Sequence, residues 1–201
     1  MKLRYSATSP YVRKVVISLK ETGLESQVEL VVTNAWAPDT DLPQDNPLGK
    51  VPALVTGEGD FYDSPVIAEY VDSLHDGAKL FPAAGPARWT ALRRQALADG
   101  ILDAALLWRV ETMMRPQALV WSDWVARQKG VVLRGLDQLE REAASFGDLF
   151  TIGEIAIVCA LGYLDFRFAE ETAWRQTRPA LAAWYAAISA RPSVAATVPL
   201  G

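Results

Sequence analysis

Ser9 is the first residue in the sequence whose position suggests chemistry. It lies in Thr8-Ser9-Pro10-Tyr11-Val12-Arg13, where an early β-rich run gives way to a helical pattern. A helix N-terminus offers unpaired backbone amides and the positive end of its dipole, so it stabilises an anion, and a serine hydroxyl adds one more donor. A thiolate is a suitable guest. A free thiol has a pKa of about 8.5, and lowering it by about two units is worth roughly 2.7 kcal/mol, within reach of one charge-assisted hydrogen bond and a helix end. Without a guest, Ser9 is a plain helix cap, and residue type alone supports that account equally well.

Two further segments carry polar groups in suggestive order. In Asn46-Pro47-Leu48-Gly49-Lys50-Val51-Pro52-Ala53-Leu54 a proline directly precedes a strand, which points to a special backbone with a cis bond at Val51-Pro52. Such a bend leaves the amide and carbonyl of Val51 free to pair with an extended peptide, and Lys50 beside it suits a carboxylate. The plainer alternative is a structural turn with an exposed lysine. In Asp63-Ser64-Pro65, the hydroxyl and amide of Ser64 suit a carboxylate and Asp63 suits an ammonium, so together they fit an α-amino-acid end. A simple helix cap is again the alternative, with Ser64 as N-cap and Pro65 as first helical residue.

The rest of the chain narrows the chemistry. There is no phosphate-binding Gly-x-x-x-x-Gly-Lys, no Gly-x-Gly-x-x-Gly, no Gly-x-Ser-x-Gly and no paired-histidine metal motif. The single histidine, His75, falls at the end of a helical pattern, where a solvated cation suits the dipole. The single cysteine, Cys159, allows no internal disulfide and no thiolate zinc site, which indicates a reducing cytoplasm and no metal. Twenty Lys and Arg against twenty-four Asp and Glu give a net charge of −4 without a basic block, arguing against nucleic-acid or polybasic membrane binding. The longest apolar run, residues 155–164, is too short to span a membrane, and the opening residues lack a signal-peptide pattern. With half of its 201 residues hydrophobic, the chain can bury a substantial core.

The elements that must position these residues fall into two unequal halves. Residues 2–5 read as a strand, followed by a helix with Val12, Val15, Val16 and Leu19 at helical spacing, Pro10 in its first turn and Gly23 at its end. Residues 28–32 read as a second strand, residues 53–56 and 60–62 as a hairpin around Gly57-Glu58-Gly59, and a helix follows from Ser64. The order is β-α-β, an irregular stretch, then β-β-α. Residues 76–86 turn rich in Gly, Ala and Pro and read as a linker, with Leu80-Phe81 as an apolar anchor. Beyond it the pattern is helical throughout: residues 88–114, a second helix carrying Trp124, Val132, Leu136 and Leu139, an almost wholly apolar helix over 152–168 that holds Cys159, and a last one over 179–190 stopped by Arg191-Pro192. Thr151-Ile152-Gly153-Glu154 is a capping box for the apolar helix. The expected division is therefore 1–76, a linker 77–86, and 87–201.

Taken together, Asn46 to Leu54 and Asp63-Ser64-Pro65-Val66-Ile67, in an α/β half followed by an all-helical half, resemble the cytosolic glutathione transferase superfamily over the whole chain. The likeness is to bacterial, serine-type members. It implies a thioredoxin-like first domain and a helical-bundle second domain. It also implies that Val51 binds the cysteinyl backbone of glutathione, Asp63 and Ser64 its γ-glutamyl end, and Lys50 its glycine carboxylate, with Pro52 as the structural cis-proline and Ser9 facing the sulfur. Tyr5 is a second phenol near the same strand end, more simply explained as a sheet residue. The implied activity is addition of glutathione, as co-substrate, to a small hydrophobic electrophile, with peroxide reduction or halide removal as side reactions. Tyr11 and Trp108 are candidates for the wall of the electrophile site, though aromatics at such spacing usually pack. Asp99 and Asp103, on one helix face, are candidates to reach a ligand amine, in this or a facing subunit. The resemblance further implies a two-fold homodimer in the cytoplasm. A non-catalytic glutathione-binding or protein-interaction member of the same fold is the competing reading, and a reductase using Cys159 is a distant third.

Overall fold

The computed structural model describes residues 1–147 and 149–199; residues 148, 200 and 201 of the expected helical half lie outside the described residues. Strand β1 (Lys2–Tyr5) runs into helix α1 (Pro10–Thr22), which carries Pro10 in its first turn. Gly23 closes α1 at φ +73°, a left-handed backbone that favours glycine. Strand β2 (Glu29–Val32), the hairpin β3 (Ala53–Val55) and β4 (Asp60–Phe61), and helix α2 (Ser64–Ser73) complete the first half. The sheet order is β2-β1-β3-β4, with β1 parallel to β2 and antiparallel to β3. A parallel pair needs a crossover, and α1 is that crossover. This is the thioredoxin-like arrangement expected.

Leu3, Val15, Leu19, Leu54, Ile67 and Val71 form the core between the sheet and the two helices. The second half is built on α3 (Gly85–Arg109), α4 (Ser122–Glu142) and α5 (Ile152–Thr172), with shorter α6 (Trp174–Thr177), α7 (Pro179–Ile188) and α8 (Pro192–Ala195). Helix α5 is buried along residues 152–164, as its uniform apolarity demands. Its N-terminus is held by Thr151, whose Oγ1 accepts from the Gly153 amide at 3.3 Å, and by Glu154, which accepts from the Thr151 amide at 2.9 Å. Glu154 also accepts from Arg94 of α3 at 2.7 Å, so this cap joins two helices.

Several boundaries differ from the expected ones, and prolines explain most of them. Pro86 is the second residue of α3 and Pro192 the first of α8; in the first turn of a helix the missing N–H has no partner to lose, so proline is accommodated in both. The helix expected to reach residue 114 ends at Arg109 and passes into a π-helical turn over Val110–Met114. Helix α5 continues past Phe168, whose φ of −143° marks a break inside it. His75 is no solvated helix end: its Nε2 lies 3.0 Å from Asp72, and its Nδ1 accepts from the Gly77 amide at 3.0 Å. The Asp72 carboxylate also accepts from the amides of Leu80 and Phe81, which fixes the connection between the halves.

The halves meet along α1, which packs on both α2 and α5. Arg13 is buried and donates to the carbonyls of Val158 and Val194 at 3.4 and 3.2 Å. The approach is close enough that a Cβ at Gly162 would stand 2.1 Å from Arg13 Nη1. Nearer the end of α1, Glu21 accepts from Arg191 at 2.8 Å and from Ser193.

Candidate functional site

Strand register sets the site. Arg4 pairs with Ala53, and Leu54 with Phe61, so the loop after β1, the Val51-Pro52 bend before β3 and the Asp63-Ser64 entry to α2 all fall at one end of the sheet. Three segments far apart in sequence are thereby made neighbours.

Ser9 is the N-cap of α1, half-buried, and its Oγ accepts from the Val12 amide at 3.3 Å. Acceptance uses a lone pair and leaves the hydroxyl proton available, so capping and donation to an external anion are compatible. The Val51-Pro52 bond is cis, as expected, and Tyr62-Asp63 is a second, non-proline cis bond. Among the described residues no hydrogen bond occupies the amide or carbonyl of Val51. The loop before it is organised by Asn46, 1% exposed: its Nδ2 donates to the Lys50 carbonyl at 2.7 Å, its Oδ1 accepts from the Leu48 amide at 3.0 Å, and its carbonyl accepts from Gly49 at 2.8 Å. The Lys50 side chain remains exposed.

The entry to α2 departs from the expected cap. Asp63, not Ser64, is the N-cap, and it makes no side-chain capping bond; Ser64 is the first helical residue and is 1% exposed. Its hydroxyl is instead met by Lys14 of α1, whose Nζ donates to Ser64 Oγ at 3.1 Å and to both carboxylate oxygens of Asp99 at 2.5 and 2.7 Å. Lys14 is fully buried. Burial pushes the Asp99 carboxyl above the ordinary range, Lys14 opposes that, and the charges of Asp103 and Asp63 add to it. With its oxygen occupied by a cation, Ser64 is left to donate its proton outward, a polarity suited to a carboxylate.

Lys14 and Asn46 were not singled out in the sequence. Lys14 follows Arg13 in the sequence, and nothing there marks it as buried. Asn46 had a signal, since Asn ahead of Pro-x-Gly favours a side-chain-closed turn.

The remaining candidates have defined places. The Tyr11 hydroxyl is committed to Asp103, and burial together with that bond drives its pKa far up, so the phenol keeps its proton. Tyr5 lies in β1, its carbonyl accepting from Thr33 at 2.8 Å. Trp108 is 6% exposed and stacks on Phe168 at 4.1 Å, with Lys129 Nζ 5.6 Å from its ring. Cys159 is fully buried and its thiol is pushed up to about 11 by that burial, so it is neither ionised nor accessible at neutral pH. Chemically, the sheet end offers a hydroxyl donor at a helix start, an open strand-like backbone, an outward-donating serine backed by a buried cation, and an exposed aspartate.

Comparison with known proteins bears on this arrangement. Residues 8–74 match the model of the glutathione S-transferase N-terminal domain, and residues 122–187 that of the C-terminal domain. The chain is 39% identical over 204 residues to the uncharacterized GST-like protein YibF of Escherichia coli, covering 99% of this chain and 98% of that one. A glutathione transferase family member from Pseudomonas fluorescens Pf-5, solved with bound glutathione, superposes with a TM-score of 0.94 at 46% identity, covering 100% of this chain and 99% of that one. A structure of a Pseudomonas fluorescens Pf-5 family member with bound S-(propanoic acid)-glutathione gives 0.91 at 44% identity, with full coverage of both chains.

Proposed function

The chain belongs to the glutathione S-transferase family, and from that premise we propose that it binds reduced glutathione and joins it to small electrophiles, the Ser9 hydroxyl stabilising the glutathione thiolate. The observation that carries this reading is the convergence of Ser9, the unpaired Val51 backbone and the buried Ser64 at one end of the sheet.

Glutathione supplies the complement to each group. Its extended cysteinyl unit pairs with Val51 as a short added strand. Its γ-glutamyl carboxylate takes the Ser64 proton, its ammonium faces Asp63, and its glycine carboxylate faces Lys50. The sulfur then lies at Ser9, where the hydroxyl and the start of α1 favour the thiolate once its proton has left to solvent. The sulfur lone pair forms the new C–S bond, and the leaving group departs with the electrons of the bond it breaks; loss of halide is the same step. Tyr11 borders the electrophile, with Trp108 in the packing behind it. The bound S-(propanoic acid)-glutathione of the Pseudomonas relative supports room for a substituent on sulfur here too.

The same reading takes residues 1–76 as the glutathione-binding domain, 77–86 as linker and 87–201 as the helical domain of a cytoplasmic homodimer. Exposed Val66 and Trp89, flanking the Glu69–Arg88 pair that joins α2 to α3, support an apolar face for a second copy. No helix among the described residues is long and apolar enough to cross a membrane.

Calorimetric titration with reduced glutathione, followed by the ultraviolet thiolate band as pH is varied, tests the proposal. Binding with a thiol pKa about two units below the free value is expected, and Ser9→Ala should return that pKa toward about 8.5 and lower turnover roughly tenfold or more. Binding with no shift would sink the role of Ser9 and leave a glutathione-binding module.

A further inference from the structure

Eight arginines of this protein are half-buried or buried, and six of them have an acid or a carbonyl to meet. Arg4 reaches Asp41 and Asp45, Arg13 two carbonyls, Arg88 Glu69, Arg94 Glu142 and Glu154, Arg178 Asp137, and Arg191 Glu21. Arg109 and Arg167 are the exceptions: among the described residues their side chains have neither an ion pair nor a hydrogen bond. Among the described residues Arg167 Nε is buried without an acceptor, and its guanidinium rests on the Phe166 ring at 3.7 Å. A buried donor without a partner is unfavourable, so the arrangement has room for an acceptor.

The two arginines are brought together by packing. The Trp108–Phe168 stack at 4.1 Å fastens the end of α3 to α5, and Arg109 and Arg167 are the adjacent residues on the two helices. Burial lowers the Arg167 pKa, and the Arg109 charge lowers it further. Tyr163, one turn earlier on α5, has its ring 6.5 Å from that of Phe168; burial raises its phenol pKa, and the charges of Arg109 and Arg167 oppose that rise. Tyr11, two residues beyond Ser9, packs against the same core that holds Tyr163, Trp108 and Phe168. A cation at the end of α3 answers that helix's dipole, but no such account covers Arg167.

We propose that Arg109 and Arg167 form a carboxylate-binding subsite beside the sulfur, so that the preferred electrophiles are small molecules bearing a carboxylate. The inference rests on the glutathione reading above and names the substrate class for that site. A guanidinium presents parallel donors that match the two oxygens of a carboxylate, and one carboxylate placed between two guanidiniums relieves their mutual repulsion. Arg109 stands six residues beyond Asp103, about 9 Å along the helix, so the carboxylate is set back from the reacting carbon.

Matched glutathione derivatives separate the two readings: S-propyl against S-(2-carboxyethyl)glutathione, and S-hexyl against S-(5-carboxypentyl)glutathione, titrated by calorimetry. The carboxylate form of at least one pair should bind tenfold or more tightly than its alkyl partner, and in the Arg109→Gln/Arg167→Gln variant that ratio should fall to about one. Arg109→Gln alone should reduce the ratio several-fold, which keeps the test available if the double variant fails to fold. Alkyl derivatives that bind while carboxylates gain nothing, or a preference that survives both substitutions, would overturn the subsite and leave the glutathione reading standing. If none of the four derivatives binds, the glutathione reading fails and the subsite with it.

Discussion

Lys14 is the residue on which the polarity of the carboxylate end depends. A fully buried ammonium is tolerated only with partners, and Ser64 and Asp99 are those partners. By occupying the serine oxygen it leaves the hydroxyl proton to point outward, and it sets a positive charge one atom behind the position proposed for the γ-glutamyl carboxylate. Lys14→Met combined with Asp99→Leu, which removes the cation without stranding the acid, should weaken glutathione binding about tenfold, or about 1.4 kcal/mol. Cysteinylglycine, which lacks the γ-glutamyl unit, should bind the variant and the parent alike. Equal loss for both ligands in calorimetry would reduce Lys14 to a packing role. Ser64 was legible in the sequence as a candidate carboxylate donor, but its support was not, because a lysine that follows Arg13 in a helical pattern carries no mark of where its ammonium ends.

Among the elements, α5 is the one on which the others lean, and Gly162 is the point where that contact is tightest. A methyl group there would meet Arg13 Nη1 at 2.1 Å and the Tyr185 hydroxyl at 3.0 Å, so Gly162→Ala must displace Arg13 from the Val158 and Val194 carbonyls. A loss of roughly 1–3 kcal/mol in urea denaturation is expected, the usual cost of overfilling a packed interior; an unchanged midpoint would mean that Arg13 relaxes freely. Elements bounded by chemically specific residues were readable in advance: β1 matched its expected bounds, and α1 began at Pro10 and stopped before Gly23. The less readable ends were those of α3 and α8. Proline both opens and closes helices, and residue type alone does not say which role Pro86 and Pro192 take.

At the scale of the whole molecule, the two halves are joined by Arg13, by the Asp72 connection and by Glu21 with Arg191 and Ser193. Burial pushes the Glu21 carboxyl up, and Arg191 and Ser193 more than reverse this, so it lies below the ordinary value. A carboxylate with a lowered folded pKa stabilises fully above its unfolded pKa, and that contribution is lost as pH falls through the folded value. Glu21→Gln should therefore cost about 1 kcal/mol at pH 7, the gap to the parent protein closing as pH drops below about 4.3. Denaturation curves at pH 7 and in acid would reveal this, and a gap independent of pH would assign the effect to shape instead of charge.

Ile17 of α1 and Ala68 of α2, both fully buried, belong to the core of the helical half and not to the core beneath the sheet. The boundary that sequence composition draws between the halves is thus not a boundary of packing. A chimera that grafted this sheet half onto a foreign helical partner would carry two apolar side chains and a lysine cut to fit α3 and α5. The halves are for that reason poor candidates for recombination, and their sequences must drift in step.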